Sequence, residues 1–134
     1  MSDAFTEKKI LIVDDDPDIV TAIRTAFGDS GAHLVEAGDG NTALELAEQD
    51  QPDLIVLDAM LPKRSGFLVL EKLKSKKPRG TKPYVIMITG NQGKRHHQWA
   101  LSLGVDEYLN KPFRMERLIS SAEKLLAKDS NGAG

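Results

Sequence analysis

Two well-separated apolar runs in this chain each end in carboxylates. Residues 10–13 are followed at once by an Asp-Asp-Asp run at 14–16, and residues 54–57 are followed by Asp58. Runs that are apolar at every position are typical of strands buried on both faces of a parallel sheet, where ligand sites lie at the carboxyl ends of the strands. Carboxylates gathered there repel one another unless a divalent cation joins them. The pattern therefore predicts a magnesium-type site with a reactive aspartate.

The elements that would position these carboxylates alternate along the chain. Short strands, several of them rich in Val and Ile, are expected at 9–13, 33–36, 54–57, 84–89 and 107–109. Asp16 followed by Pro17 indicates the start of a helix after the first strand. Apolar residues at helical spacing predict the helices between and after the strands: Ile19, Ile23, Ala26 and Phe27; Ala43, Leu44 and Ala47; Phe67, Leu68, Leu70 and Leu73; Trp99, Ala100 and Leu103; Leu118, Ala122, Leu125 and Leu126. This (βα)5 order predicts an α/β fold with a doubly wound, five-stranded parallel sheet.

Composition narrows the function classes. The 134 residues fit one domain with a real core, and 18 basic residues against 20 acidic ones give no sign of a nucleic-acid surface. The absence of cysteine excludes disulfides and thiolate chemistry. No segment looks like a signal peptide or a membrane span. We expect a soluble cytoplasmic protein that contacts neither nucleic acid nor membrane directly.

Four segments carry a family resemblance by their order and spacing: KKILIVDDDPD, PDLIVLDAMLPKRSG, YVIMITG and GVDEYLNKPF. Together they resemble the receiver domain of two-component response regulators, over residues 8–128. The resemblance implies the flavodoxin-like strand order 2-1-3-4-5. It also predicts an N-terminal tail at 1–7 and a C-terminal tail or linker at 129–134. With so few residues after the last helix, we expect either a stand-alone receiver or a piece cut from a larger protein.

The resemblance implies a role for each acidic residue of the site. Asp58 would be the phosphoacceptor, since a carboxylate can attack an activated phosphoryl group. Mg²⁺ or another divalent cation would be held by Asp14, Asp15, Asp58 and the backbone carbonyl of Met60. Asp15 is expected to be the direct ligand of the acidic pair, and Asp14 to act through water. Asp16 is left with the role of helix cap.

The later segments supply the remaining functional residues that the resemblance implies. Lys111 would pair with the phosphorylation site, next to a cis peptide bond with Pro112. The Thr89 hydroxyl would bind the phosphoryl group and move with it. Tyr108 would be the aromatic residue that turns into the space that Thr89 vacates.

The predicted output is a change of a binding surface when Asp58 is phosphorylated. The partners implied are a sensor histidine kinase or histidine phosphotransfer protein, and a downstream effector protein or domain. The effector would dock on the fourth helix, fifth strand and last helix. His97, Leu101 and Val105 are expected to belong to this face, with Leu101 pointing outward.

Two other functions are alternatives to a signalling receiver. The first is a magnesium-dependent phosphatase or phosphotransferase with an aspartate nucleophile, as in haloacid-dehalogenase-type enzymes. That class has a second acid two residues after the nucleophile, and Met60 occupies this place. The second is a nucleotide-binding domain, but the first strand leads into Asp-Asp-Asp-Pro and no glycine-rich loop.

Other polar features have simpler interpretations. His96 and His97 are adjacent, so a helix points them about 100° apart, and we expect surface or partner-facing residues. Trp99 is interpreted as a half-buried packing residue, and Asp53 as a turn acid. Solvation and the dipole of the third helix explain a basic cluster consisting of Lys72, Lys74, Lys76, Lys77, Arg79 and Lys82.

Overall fold

A computed structural model describes residues 3–75, 77, 81–90 and 93–132, with side chains described as far as 128. A short 3-10 turn at Asp3–Phe5 precedes the regular elements. These are β1 Lys9–Val13, α1 Pro17–Phe27, β2 His33–Ala37, α2 Gly40–Asp50, β3 Leu54–Asp58, α3 Gly66–Lys74, β4 Tyr84–Thr89, α4 Lys94–Ser102, β5 Glu107–Asn110 and α5 Met115–Gly132. The five predicted strands are therefore confirmed to within one residue at each end.

The five strands form one parallel sheet in the order β2-β1-β3-β4-β5, which confirms the predicted fold class and strand order. Alternate residues of each strand enter opposite cores, because successive side chains point to opposite faces. Ile10 and Ile12 pack in one core with residues of α1 and α5. Leu11 and Val13 pack in the other core with residues of α2, α3 and α4.

Side-chain caps fix where the helices begin. The Asp16 carboxylate accepts a hydrogen bond of 2.9 Å from the Asp18 N–H, with Pro17 in the first turn, as predicted. Asp39 caps α2 and Ser65 caps α3 in the same way. The helix α4 differs, because it begins after Gly93 without a side-chain cap.

Regular structure continues past the predicted domain limits at both ends. Phe5 lies within the segment predicted as an N-terminal tail, yet it is fully buried and its ring meets Phe27 edge-on at 5.3 Å. The helix α5 runs on to Gly132. The boundaries at 8 and 128 stay a prediction, and residues 1, 2, 133 and 134 lie outside the described residues. Within the described part of the chain, no helix combines the length and the apolar character that crossing a bilayer requires.

The expectation of solvation for Lys74 is wrong. Its side chain is 2% exposed, and its ammonium lies 3.0 Å from Asp106 Oδ2. It also donates to the carbonyls of Thr81 at 2.8 Å and Pro83 at 3.1 Å. Asp106 Oδ2 accepts in addition from the Val85 N–H at 2.8 Å. This buried network joins the end of α3 to the starts of β4 and β5; Lys76 and Arg79 of the predicted basic cluster lie outside the described residues.

Two apolar residues lie on the side opposite to the predicted one. Leu68 is exposed, since it follows Phe67 by one position and is turned about 100° from the buried face of α3. Val105 is buried: its N–H donates to the Ala100 carbonyl at 3.1 Å, in the turn that closes α4 onto the core. Leu101 is exposed as predicted.

Candidate functional site

The predicted carboxylates come together at the carboxyl edge of the sheet. Val13 of β1 is in register with Leu57 of β3, so the next residues, Asp14 and Asp58, are neighbours. One carboxylate oxygen each from Asp14, Asp15 and Asp58 lies within 4.8 Å of the others. Asp14 and Asp58 are buried and Asp15 is exposed. The cluster is therefore a pocket with two buried acids in its floor and one at its mouth.

Backbone hydrogen bonds orient the two buried acids. Asp14 Oδ1 accepts from the Asp16 N–H at 2.9 Å, and Asp58 Oδ1 accepts from the Met60 N–H at 3.2 Å. The other Asp14 oxygen, Oδ2, is buried without a hydrogen-bond partner in the described structure. A buried carboxylate oxygen left without a hydrogen bond is costly, which makes this atom a candidate to accept from water or to bind a cation.

A lysine faces the acids from the end of β5. Lys111 Nζ lies 3.6 Å from Asp14 Oδ2 and 4.0 Å from Asp58 Oδ1. The Lys111 N–H donates to the Thr89 carbonyl at 2.7 Å, which ties the end of β5 to the end of β4. The peptide bond from Lys111 to Pro112 is cis, as the family resemblance implied.

The charges of the pocket are not balanced. Burial and the charges of Asp14 and Asp15 together raise the pKa of Asp58 to about 6, against the opposing effects of the Met60 N–H and Lys111. Three carboxylates thus face one ammonium. The carboxylate oxygens are hard ligands that suit Mg²⁺. This ion would relieve the repulsion between the carboxylates and usually retains several waters. The residues present fit a divalent cation, and the Met60 carbonyl as a further ligand stays a prediction.

Thr89 and Tyr108 adjoin the pocket. Thr89 is buried at the end of β4, beside the end of β3. The Tyr108 hydroxyl is also buried and has no hydrogen bond of good geometry among the described residues. Burial raises the pKa of Tyr108, and the nearby Thr89 hydroxyl partly offsets that rise. The Tyr108 ring stacks on His97 of α4, with centroids 4.5 Å apart and planes 10° from parallel.

The loop after β3 is braced by contacts that sequence reasoning missed. Arg64 Nε donates to Asn41 Oδ1 at 3.0 Å, and Lys63 Nζ lies 3.8 Å from Asp39 Oδ2. A Cβ added at Gly40 would overlap the Arg64 carbonyl, so the start of α2 packs directly on this loop. Asn41 and Arg64 are 23 positions apart, and nothing in their local sequence signals the contact.

Comparisons with known proteins agree with this geometry. The family profile for the response regulator receiver domain matches residues 10–123. A doubly wound sheet with an acidic pocket at its carboxyl edge defines the class, and the chain belongs to the response regulator receiver domain family. Receiver domains of this family are signalling domains and not classical enzymes, which disfavours the phosphatase alternative.

Two relatives show how much of a longer protein the chain corresponds to. It is 36% identical over 126 residues to the alkaline phosphatase synthesis transcriptional regulatory protein PhoP of Bacillus subtilis, covering 94% of this chain and 51% of PhoP. It is 35% identical over 119 residues to the probable transcriptional regulatory protein TcrX of Mycobacterium tuberculosis, covering 89% of this chain and 50% of TcrX. The chain thus spans about half the length of these relatives.

Solved receiver domains share the fold over nearly their whole length. A CheY-like response regulator receiver domain from Methanospirillum hungatei is 28% identical with a TM-score of 0.85, covering 95% of this chain and 99% of that one. The receiver domain of Francisella response regulator 1452 is 31% identical with a TM-score of 0.83, covering 92% and 99%.

Proposed function

We propose that this domain is a phosphoacceptor of a two-component phosphorelay, phosphorylated on Asp58 by a sensor histidine kinase or a histidine phosphotransfer protein. The observation that carries the proposal is the pocket in which Asp14, Asp15 and Lys111 surround Asp58. The Met60 side chain, two residues after Asp58, is exposed. The domain is expected to act in the cytoplasm.

The proposed reaction is transfer of a phosphoryl group from a histidine to Asp58. An Asp58 carboxylate oxygen attacks the phosphorus of a phosphohistidine, the P–N bond breaks, and the departing imidazole nitrogen takes the electron pair and then a proton from solvent water. Asp58 needs only to be ionised, and its pKa of about 6 leaves it mainly so at neutral pH. A divalent cation held by Asp14, Asp15, Asp58 and the Met60 carbonyl would supply positive charge against the phosphoryl oxygens.

Lys111 and Thr89 complete the phosphoryl site in this proposal. The Lys111 ammonium reaches both buried carboxylates, so an added phosphoryl oxygen at Asp58 falls within its range. The Thr89 hydroxyl, at the end of the neighbouring strand, would donate to another phosphoryl oxygen. Loss of the phosphoryl group to water at the same site would end the signal.

The output follows from the Thr89 and Tyr108 pair. A phosphoryl group that draws Thr89 toward it changes the surroundings of the buried Tyr108 hydroxyl. The surface of α4, β5 and α5 would then bind a downstream effector protein or domain with altered affinity. Because relatives twice this length are transcriptional regulators, an effector domain elsewhere in a longer chain is one form of that partner. Direct contact of this domain with nucleic acid is not expected.

The test is phosphorylation of Asp58→Asn beside Asp16→Asn. Both variants remove one carboxylate of the same region, and asparagine still serves as a helix cap at 16. With acetyl phosphate and magnesium, intact-mass spectrometry should show one acid-labile phosphate on the wild type and on Asp16→Asn, and none on Asp58→Asn. An undiminished adduct on Asp58→Asn would refute the assignment.

A further inference from the structure

The helix α4 lies between two aromatic stacks. On its β5 side, His97 stacks on Tyr108. On its α3 side, Trp99 stacks on Phe67 with centroids 4.3 Å apart and planes 3° from parallel. His96 also meets the Phe67 ring at 5.5 Å, tilted by 41°. Both neighbours of α4 therefore hold it through ring contacts.

These stacks matter for the position of α4 because, among the described residues, the helix is otherwise little buried. Its N-terminus has no side-chain cap, and Ala100 is the one residue of the helix that is buried. Trp99 stays 45% exposed despite its stack. Aromatic pairs contribute about 0.5–1.5 kcal/mol beyond their buried area. A shift of either partner ring would therefore change where α4 rests.

Phe67 is linked to the phosphoacceptor through the start of α3. Gly66 directly precedes it, and a Cβ at Gly66 would overlap the Asp58 carbonyl oxygen. The Gly66 N–H donates to the Ala59 carbonyl at 2.9 Å. The backbone of Asp58 and Ala59 is thus in van der Waals contact with the first turn of α3, and the buried Phe67 ring carries that contact to Trp99.

We propose that the Phe67–Trp99 stack is a second path by which the state of Asp58 reaches α4, separate from the path through Thr89 and Tyr108. The inference rests on the proposed function, since it concerns what phosphorylation of Asp58 does. Phe67 acts as a positioning residue: it touches no reacting atom and transmits displacement of the α3 start to the helix beside it. The two ring stacks on opposite sides of α4 would together determine the position of this helix in the unphosphorylated and phosphorylated states.

Trp99 is the single tryptophan of the chain, so tryptophan fluorescence reports the surroundings of this one residue, including its stack on Phe67. Beryllofluoride with magnesium, a phosphoryl mimic, would be titrated into the wild type and three variants. In Phe67→Leu the fluorescence change should fall by about fourfold or more relative to wild type. His97→Ala cuts the contact of α4 with Tyr108 and should keep the change, as should the matched control Leu68→Ala on the exposed face of α3.

A full-size change in Phe67→Leu, or its loss in His97→Ala, would overturn the second path. ¹⁹F NMR of the bound beryllofluoride separates this result from failure of the proposed function. A bound signal with no Trp99 response refutes only the second path, whereas no bound signal in wild type refutes both. If circular dichroism shows that Phe67→Leu is unfolded, Trp99→Leu replaces it, and amide NMR replaces fluorescence. The chemical shift change that beryllofluoride causes at Ala100 should then be lost, and the change at Tyr108 should be kept. An unchanged shift at Ala100 would overturn the second path.

Discussion

Replacing Asp58 by asparagine should stabilise the metal-free protein. Asparagine keeps the shape of the side chain and still accepts from the Met60 N–H, but it removes the negative charge that burial and the neighbouring acids oppose. Raising the pKa of Asp58 from 3.8 to about 6 corresponds to about 3 kcal/mol, at 1.36 kcal/mol for each pKa unit. This shift already includes the attraction to Lys111, so we expect a gain of about 3 kcal/mol and a Tm higher by about 10 °C.

The gain has a defined pH dependence. The folded pKa of Asp58 lies above the unfolded one, so the folded state binds more protons between 3.8 and about 6. Stability of the wild type is therefore lost as pH rises through this window. The full difference between wild type and Asp58→Asn should be reached by about pH 8, and about half of it should remain near pH 5.

Urea denaturation with chelator, at both pH values, measures this difference. Magnesium at millimolar concentration should raise the stability of wild type more than that of Asp58→Asn, because the ion relieves the same repulsion. Asp53→Asn is the control, since Asp53 is paired with Lys82 at the opposite edge of the sheet and its pKa is lowered. Equal stabilities of wild type and Asp58→Asn at the higher pH in chelator would show that the carboxylates do not repel as described.

Three shorter predictions concern other residues. Asp15→Ala should lose most of the magnesium-dependent rise in Tm and most phosphorylation, and a retained rise would remove Asp15 from the ligand set. Lys74→Ala should cost about 3–5 kcal/mol in urea denaturation by leaving Asp106 buried without its cation; a cost below about 1 kcal/mol would refute burial of the pair. Tyr108→Phe should change the free energy of unfolding by less than about 1 kcal/mol, because its buried hydroxyl makes no hydrogen bond of good geometry to any described residue, and a marked loss in thermal denaturation would contradict this.

The positions of the strands and of the acids could be predicted from local pattern. Continuous apolar runs mark doubly covered strands, and β1 and β3 carry Asp14 and Asp58 to the same edge because both strands run the same way. The pattern did not determine that β1 and β3 are neighbours. That came from the family resemblance, because strand order depends on contacts distant in sequence.

The side chains whose exposure or contacts the sequence did not predict share one cause. Leu68 is apolar and lies within a helical apolar pattern, yet the face of α3 that is buried depends on where α4 and the sheet lie. The ring contacts of Phe67 and Trp99 join residues 32 positions apart in two helices, which no periodicity predicts. Exposure and pairing of single side chains are thus set by tertiary packing that the local sequence does not specify.

Lys74 and Lys111 illustrate why residue type alone could not separate structure from function. The Lys74 ammonium has three donors and three acceptors within 3.1 Å, so it is fully satisfied and fixed. Lys111 lies farther from its two carboxylates, at 3.6 and 4.0 Å, with its side chain 29% exposed. An ammonium held at such distances can shift toward an incoming phosphoryl oxygen without breaking a short hydrogen bond to either acid. One lysine, Lys74, therefore stabilises the amino edge of the sheet. The other, Lys111, responds in the proposed function to charge at the carboxyl edge.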